Sequence, residues 1–129
     1  MNGRYLLDTN VIIAFLAREA GIENNLATAD EVFLPVTAIG ELYYGARKSG
    51  KPGENLARID ELVLSSVVLA CDSETARRYG EIKNGLRMKG RPLPENDIGI
   101  AAIACQHGLT LVTRDMHFRQ VDDLNTVAW

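Results

Sequence analysis

The 129-residue sequence is poor in cysteine, and no membrane-length apolar run occurs in it. Two cysteines are too few for a disulfide scaffold, and both Cys71 and Cys105 adjoin apolar residues. We therefore interpret them as small buried side chains of a reduced, intracellular protein. A membrane span needs roughly 18 apolar residues, and Asp8 and Asn10 stand where a signal peptide would be apolar. We expect a cytoplasmic protein without a membrane segment.

The sequence also lacks repeats, low-complexity tracts and any linker long enough to separate domains. Apolar residues make up 47% of the chain and charged residues 24%, which excludes a disordered protein. A chain of this length can bury a core without disulfides or structural metals. We predict a single domain over residues 1–129.

An excess of positive charge is missing as well, because 14 basic residues face 17 acidic ones for a net charge of −3. Ten of the basic residues are arginines, which bind phosphate better than lysines do. If four of the acids occupy one metal site, 13 acidic residues remain against the 14 basic ones. The net charge therefore does not exclude a nucleic-acid partner.

Short apolar runs alternate along the chain with segments of helical periodicity. The runs predict strands at 5–8, 32–34, 67–70, 109–112 and 126–128. The periodic segments predict helices near 10–17, around 26, and at 37–48, 56–63, 73–89 and 96–107, with Ser73 as a helix cap. This alternation predicts an α/β fold with a parallel sheet and helices on both of its faces.

Four acidic residues lie where such a sheet would carry a functional site, outside the carboxyl ends of its strands. Asp8 follows the first strand and Asp115 the fourth, Glu41 lies one turn into the helix after the second strand, and Asp97 opens the helix before the fourth. Each acid alone is typical of a cap, a turn or a surface residue. Together they indicate one acid site.

The chemistry of such a site follows from its charge. Clustered carboxylates repel one another unless a cation joins them. Oxygen ligands without histidine or thiolate partners favour Mg²⁺ or Mn²⁺. Such ions activate water and stabilise the leaving oxygen in phosphodiester cleavage. The four acids therefore indicate a metal-dependent nuclease.

The motifs that surround these acids resemble those of the PIN-domain ribonucleases, and among them the VapC toxins of toxin–antitoxin pairs. The similar segments occur in order along the whole chain, at residues 7–11, 37–45, 96–102 and 111–118. The resemblance implies a three-layer α/β/α fold with sheet order 3-2-1-4-5 and an endoribonuclease that uses Mg²⁺ or Mn²⁺. It assigns metal binding and catalysis to Asp8, Glu41, Asp97 and Asp115, and ligand orientation to Thr9 and Thr113.

The resemblance also implies partners, namely an RNA substrate, a VapB-like antitoxin and a second copy of the chain in a homodimer. Arg77, Lys83 and Arg87 share one side of a predicted helix, where they either hold RNA phosphates or form a solvated surface. Two other functions stay open at this point. One is a stand-alone PIN ribonuclease in RNA processing, and the other is a non-catalytic RNA-binding PIN module.

Overall fold

A computed structural model of the chain describes residues 3–129. Over this range five strands form one sheet in the order β3-β2-β1-β4-β5, and all neighbouring strands are parallel. The strands are β1 (Arg4–Leu7), β2 (Glu31–Pro35), β3 (Val67–Leu69), β4 (Thr110–Val112) and β5 (Thr126–Val127). The predicted α/β class and the implied strand order are confirmed.

Helices connect these strands. Within residues 3–129 they are α1 (Thr9–Leu16), α2 (Ala20–Thr28), α3 (Val36–Arg47), α4 (Pro52–Leu64), α5 (Ser73–Lys89), α6 (Glu95–His107) and a short 3₁₀ helix (Met116–Gln120). The chain steps outward from β1 to β3 and then returns across the sheet to β4, so the strand order reverses beside β1. Because crossovers between parallel strands are almost always right-handed, this reversal directs α1 to α4 to one face of the sheet and α5 and α6 to the other.

The bounds of α5 follow from its capping residues. Asp72 accepts a hydrogen bond from the backbone N–H of Thr75, and the Thr75 hydroxyl accepts one from the backbone N–H of Asp72, each at 3.0 Å. This capping box makes Asp72 the cap. The prediction that Ser73 caps the helix is wrong by one residue, because two good capping residues are adjacent. The helix ends at Gly90, whose φ of +68° suits glycine.

Helix α6 forms the middle of the core. Its residues from Ile98 to Ala104 are all buried, and they are mostly alanine and isoleucine with one glycine. Small side chains let the helix backbone approach its neighbours closely, so the whole helix lies deep in the protein. Its first turn, which contains Asp97, is drawn inward with it, and Asp97 is half-buried.

One prediction about the cysteines is wrong. Cys71 is exposed, because it follows β3, a three-residue strand at the edge of the sheet. Cys105 on α6 is half-buried, and both residues are free thiols. Among residues 3–129, none of the helices combines the length and the apolar character needed to cross a bilayer.

Candidate active site

Asp8 lies at the centre of the sheet edge where the strand order reverses. It directly follows β1, caps α1 and is only 4% exposed. One carboxylate oxygen, Oδ1, accepts a hydrogen bond from the backbone N–H of Thr9 at 2.8 Å. The other, Oδ2, accepts one from the hydroxyl of Thr113 at 2.7 Å. Asp8 therefore has a fixed orientation at the carboxyl end of β1.

Thr113 joins Asp8 to the segment that follows β4. Its hydroxyl, besides donating to Asp8, accepts a hydrogen bond from the backbone N–H of Asp115 at 3.0 Å. Thr113 is 6% exposed, so this hydroxyl is held away from bulk water. The carboxylate of Asp115 in turn lies 2.9 Å from both the backbone nitrogen and Nδ1 of His117. A chain of contacts thus runs from Asp8 to Asp115.

Thr9 joins the other side of the site. Its hydroxyl donates a hydrogen bond to Oε1 of Glu41 at 3.1 Å, which links the first turn of α1 to α3. Glu41 is half-buried and lies next to the buried residue Leu42. The two threonines that the resemblance marks as ligand-orienting therefore each contact one of the four acids directly.

Asp97 is the acid on which the charge of the others acts most clearly. The pKa of its carboxyl rises from 3.8 to about 6. Burial is the largest cause, followed by repulsion from Asp8, Asp115 and Glu41. Burial also raises the pKa of Asp8, against the hydrogen bonds from Thr113 and Thr9. The structure therefore brings all four predicted acids within electrostatic reach of one another.

The donor set suits a hard divalent cation. Throughout residues 3–129, no three His, Cys, Asp or Glu side chains are close enough to enclose an ion as they stand. Mg²⁺ does not need such a cage, because it usually takes one or two carboxylates and keeps several waters. The buried, oriented carboxylate of Asp8 beside the half-buried Asp97 provides this arrangement, and every donor is oxygen. The residues fit a divalent metal ion that prefers oxygen ligands.

A groove of about 510 Å³ runs from the acid site between α1, α3 and α4. Its polar end is lined by Thr9, Asn10 and Glu41. The rest of its wall is mostly apolar, formed by Ile13, Leu16, Ala17, Leu42, Gly45, Ala46 and Ile59, with Asn55 and Arg58 as its polar members. Ile13 is 49% exposed, a high value for an isoleucine that points into a groove. An apolar surface therefore leads up to the acids.

Arg77, Lys83 and Arg87 of α5 all have side-chain partners within the protein. Arg77 pairs with Glu74 at 2.6 Å and with Glu81 at 2.9 Å, and Lys83 pairs with Glu95 at 2.6 Å. Arg87 donates a hydrogen bond to the side-chain oxygen of Asn84 at 3.1 Å. Two of the three side chains are thus neutralised locally, and their contact with RNA stays a prediction.

Two contacts near the site were not predicted. His117 touches Asp115, and its position two residues after that acid in a tight 3₁₀ turn was the available signal. Arg114 pairs with Glu19 and donates a hydrogen bond to the backbone oxygen of Trp129 at 3.3 Å. This second contact joins residues that are distant in the chain, and no local pattern indicates it.

With this geometry in place, comparisons with known proteins define the class. A family model described as PIN domain matches residues 5–124. The chain is 34% identical to ribonuclease VapC2 of Haemophilus influenzae and 35% identical to the tRNA(fMet)-specific endonuclease VapC of Shigella flexneri. Each alignment covers 98% of both proteins. The chain therefore belongs to the PIN-domain family, and within that family to the VapC ribonucleases.

A solved structure gives the same relationship in three dimensions. The DNA-bound VapBC of Salmonella typhimurium matches with a TM-score of 0.89 and 31% identity, covering 98% of each chain. That level of similarity confirms the PIN-like arrangement of sheet and helices. Nucleases of this family generally depend on divalent metal ions, in keeping with the oxygen donors of the acid site.

Proposed function

We propose that this chain is an endoribonuclease that hydrolyses RNA phosphodiester bonds, and that it is the toxin of a VapBC-type pair. The observation that carries the proposal is the electrostatic proximity of four carboxylates at the edge of the sheet where the strand order reverses. One of them, Asp8, is 4% exposed and hydrogen-bonded on both oxygens. The names of its VapC relatives, a ribonuclease and a tRNA-specific endonuclease, support the same activity.

We assign the metal site to Asp8 and Asp97, with Glu41 and Asp115 binding directly or through water. The family resemblance and the all-oxygen donor set support Mg²⁺ or Mn²⁺ in this place. Such an ion supplies a water nucleophile at neutral pH and stabilises charge on the leaving oxygen. Because burial and the neighbouring acids raise the pKa of the Asp97 carboxyl to about 6, metal binding at this site competes with protonation.

The chain's own residues orient the acids in this proposal. The Thr113 hydroxyl and the Thr9 N–H fix the carboxylate plane of Asp8, so its free lone pairs point in set directions. The Thr9 hydroxyl holds Glu41 on the opposite side. Groups that orient metal ligands in this way typically change metal affinity or activity by about 10- to 100-fold when removed.

The test is cleavage of total bacterial RNA by the purified chain, with Mg²⁺ or Mn²⁺ against EDTA, beside Asp8→Asn. We expect discrete fragments that need the metal and disappear in the variant, and sequencing their ends would identify the RNA. A folded, antitoxin-free chain that cleaves nothing would contradict the proposal. Cleavage without growth arrest or a neighbouring antitoxin gene would favour a stand-alone ribonuclease, and RNA binding without cleavage a binding module.

We propose that the groove between α1, α3 and α4 receives the antitoxin. An apolar groove with an acidic end suits an amphipathic segment that carries a basic side chain. Ile13→Asp should therefore weaken the complex with the product of the adjacent small open reading frame. Leu64→Asp is the matched control, because Leu64 is 88% exposed and lies outside the groove. Equal weakening by both variants would contradict this assignment.

We also propose that the chain folds as a single domain and that two copies form a homodimer. The dimer would act in the cytoplasm, where RNA is available. The family resemblance is the support for the dimer. Sedimentation equilibrium of the purified chain at micromolar concentrations should give twice the mass of 14.2 kDa. A monomer at all concentrations would contradict the dimer and leave the nuclease proposal intact.

A further inference from the structure

A second, smaller cleft of about 100 Å³ lies on the other side of the acid site from the groove. It is bounded by the segment after β4 and by the edge strand β5. Thr113 and Asp115 form part of its wall, and Arg119 lines it from the 3₁₀ helix. Because Thr113 also donates to Asp8, this cleft and the acid site share a wall.

Arg119 differs from the other arginine of the cleft. Arg114 is held by Glu19 and by the backbone oxygen of Trp129. Arg119 is exposed, and no carboxylate within residues 3–129 lies within ion-pair distance of its guanidinium. The one carboxylate in the cleft wall, Asp115, instead contacts His117. The cleft thus contains a positive charge without a partner.

The size of the cleft restricts what this charge binds. A volume of about 100 Å³ is far below the roughly 300 Å³ at which pockets begin to hold drug-sized ligands. It has room for a small anionic group together with water, and none for a stacked base. A guanidinium offers a planar fork of N–H donors that matches phosphate oxygens in pairs. The cleft therefore suits a phosphate group.

The acid site explains why such a charge is needed here. An RNA strand that reaches the four carboxylates must bring its own negative phosphates close to them, and a metal ion compensates only at the scissile bond. We propose that Arg119 binds the RNA phosphate that flanks the scissile one, on the β5 side of the acid site. This inference rests on the proposed ribonuclease function and adds a residue that positions its substrate.

The experiment compares Arg119→Ala with Arg4→Ala, both in an Asp8→Asn background that cannot cleave. Arg4 carries the same charge, but it lies at the amino end of the central strand β1, and the acid site lies at the carboxyl ends of the strands. Arg4 is also paired with Glu31. Binding of a labelled single-stranded RNA is measured by fluorescence anisotropy from 50 to 200 mM salt. Arg119→Ala should weaken binding about 10-fold at the low salt and make the slope of log K against log salt shallower by about 0.7, the value for one lost phosphate contact.

Arg4→Ala should change neither quantity, and Arg119→Lys should keep the slope while it loses part of the affinity. Equal behaviour of the two alanine variants overturns the inference, and so does a background protein that does not bind RNA. A loss of antitoxin binding alone in Arg119→Ala overturns it as well. Cleavage by the otherwise unaltered chain is measured separately. If that chain cleaves RNA and Arg119→Ala binds RNA normally, only this inference is contradicted. If that chain is inactive, the proposed function is contradicted.

Discussion

The charged side chains of the acid site have neutral hydrogen-bond partners, whereas those on the outer surface of α5 have oppositely charged partners. At the acid site, Asp8 and Glu41 are hydrogen-bonded by threonine hydroxyls and a backbone N–H, which are neutral donors. On α5, Arg77 and Lys83 are bonded by carboxylates, which cancel their charge. The first arrangement fixes geometry and leaves net negative charge in place, and the second removes the charge that a ligand would use. Uncompensated charge, more than charge density in the sequence, separates the candidate site from the surface.

The largest effect is expected from removing one of the uncompensated charges of the acid site. Asp97→Asn should lower RNA cleavage by more than about 100-fold, because a metal ion supplies several kcal/mol of charge stabilisation in such reactions. Asp30→Asn is the matched control, since Asp30 is exposed and precedes β2 at the opposite edge of the sheet. Initial rates at saturating Mg²⁺ measure both variants. Full activity of Asp97→Asn would contradict the assigned metal site.

The neutral donors give the next largest effect. Thr113→Val keeps the shape of the side chain and removes the hydroxyl that holds Asp8 and Asp115. Activity or metal affinity should fall about 10-fold, as for other groups that orient metal ligands. Metal titrations of cleavage separate the affinity from the maximal rate, and Thr113→Ser should restore both. A valine variant with unchanged metal dependence would show that the hydroxyl only stabilises the fold.

Without metal, the uncompensated charge should also make the free energy of unfolding depend on pH. The pKa of Asp97 is raised to about 6 in the folded state, so the folded chain binds more protons than the unfolded chain between pH 4 and 6. Stability in EDTA is therefore greatest below pH 4 for this group and is lost as the pH rises through 6. The change is about 1 kcal/mol after allowance for solvent screening of a half-buried group. Urea unfolding at pH 5 and 7 measures it, and Asp97→Asn should flatten the dependence.

The smallest effect is expected from substitutions of the ion-paired basic residues on α5. Arg77→Ala combined with Lys83→Ala should leave the free energy of unfolding almost unchanged, because exposed ion pairs contribute little. RNA affinity should change less than it does in Arg119→Ala. The anisotropy assay described above measures this difference directly. A larger loss in the α5 double variant would restore the interpretation that this helix holds RNA phosphates.

Much of the fold could be predicted, because its main signals are local. The buried stretch of α6 contains only small and apolar residues, and its depth follows from that composition. The four acids follow strands or lie in the first two turns of a helix, and a parallel sheet brings such positions to one edge. The strand order came from the family resemblance, since apolar runs do not specify which strands pair.

What could not be predicted depends on contacts between distant residues or on a choice between neighbours. No local sequence pattern predicts the hydrogen bond from Thr113 to Asp8 or the ion pair of Lys83 with Glu95. Cys71 is exposed because β3 is a short edge strand, and an apolar run does not distinguish an edge from a centre. Asp72 and Ser73 are nearly equal as helix caps, and only the position of Thr75 decides between them.

The bond between Thr113 and Asp8 also has a consequence for biosynthesis. It closes a loop of 105 residues, and β4 must pair with β1 before the hydroxyl reaches the carboxylate. A nascent chain presents Asp8 early, and Thr113 follows only 105 residues later. The ribosome therefore carries an unfinished chain whose acids are not yet oriented. A protein proposed to destroy RNA thus acquires its fully oriented acid site only after Thr113 has been synthesised and β4 has paired with β1.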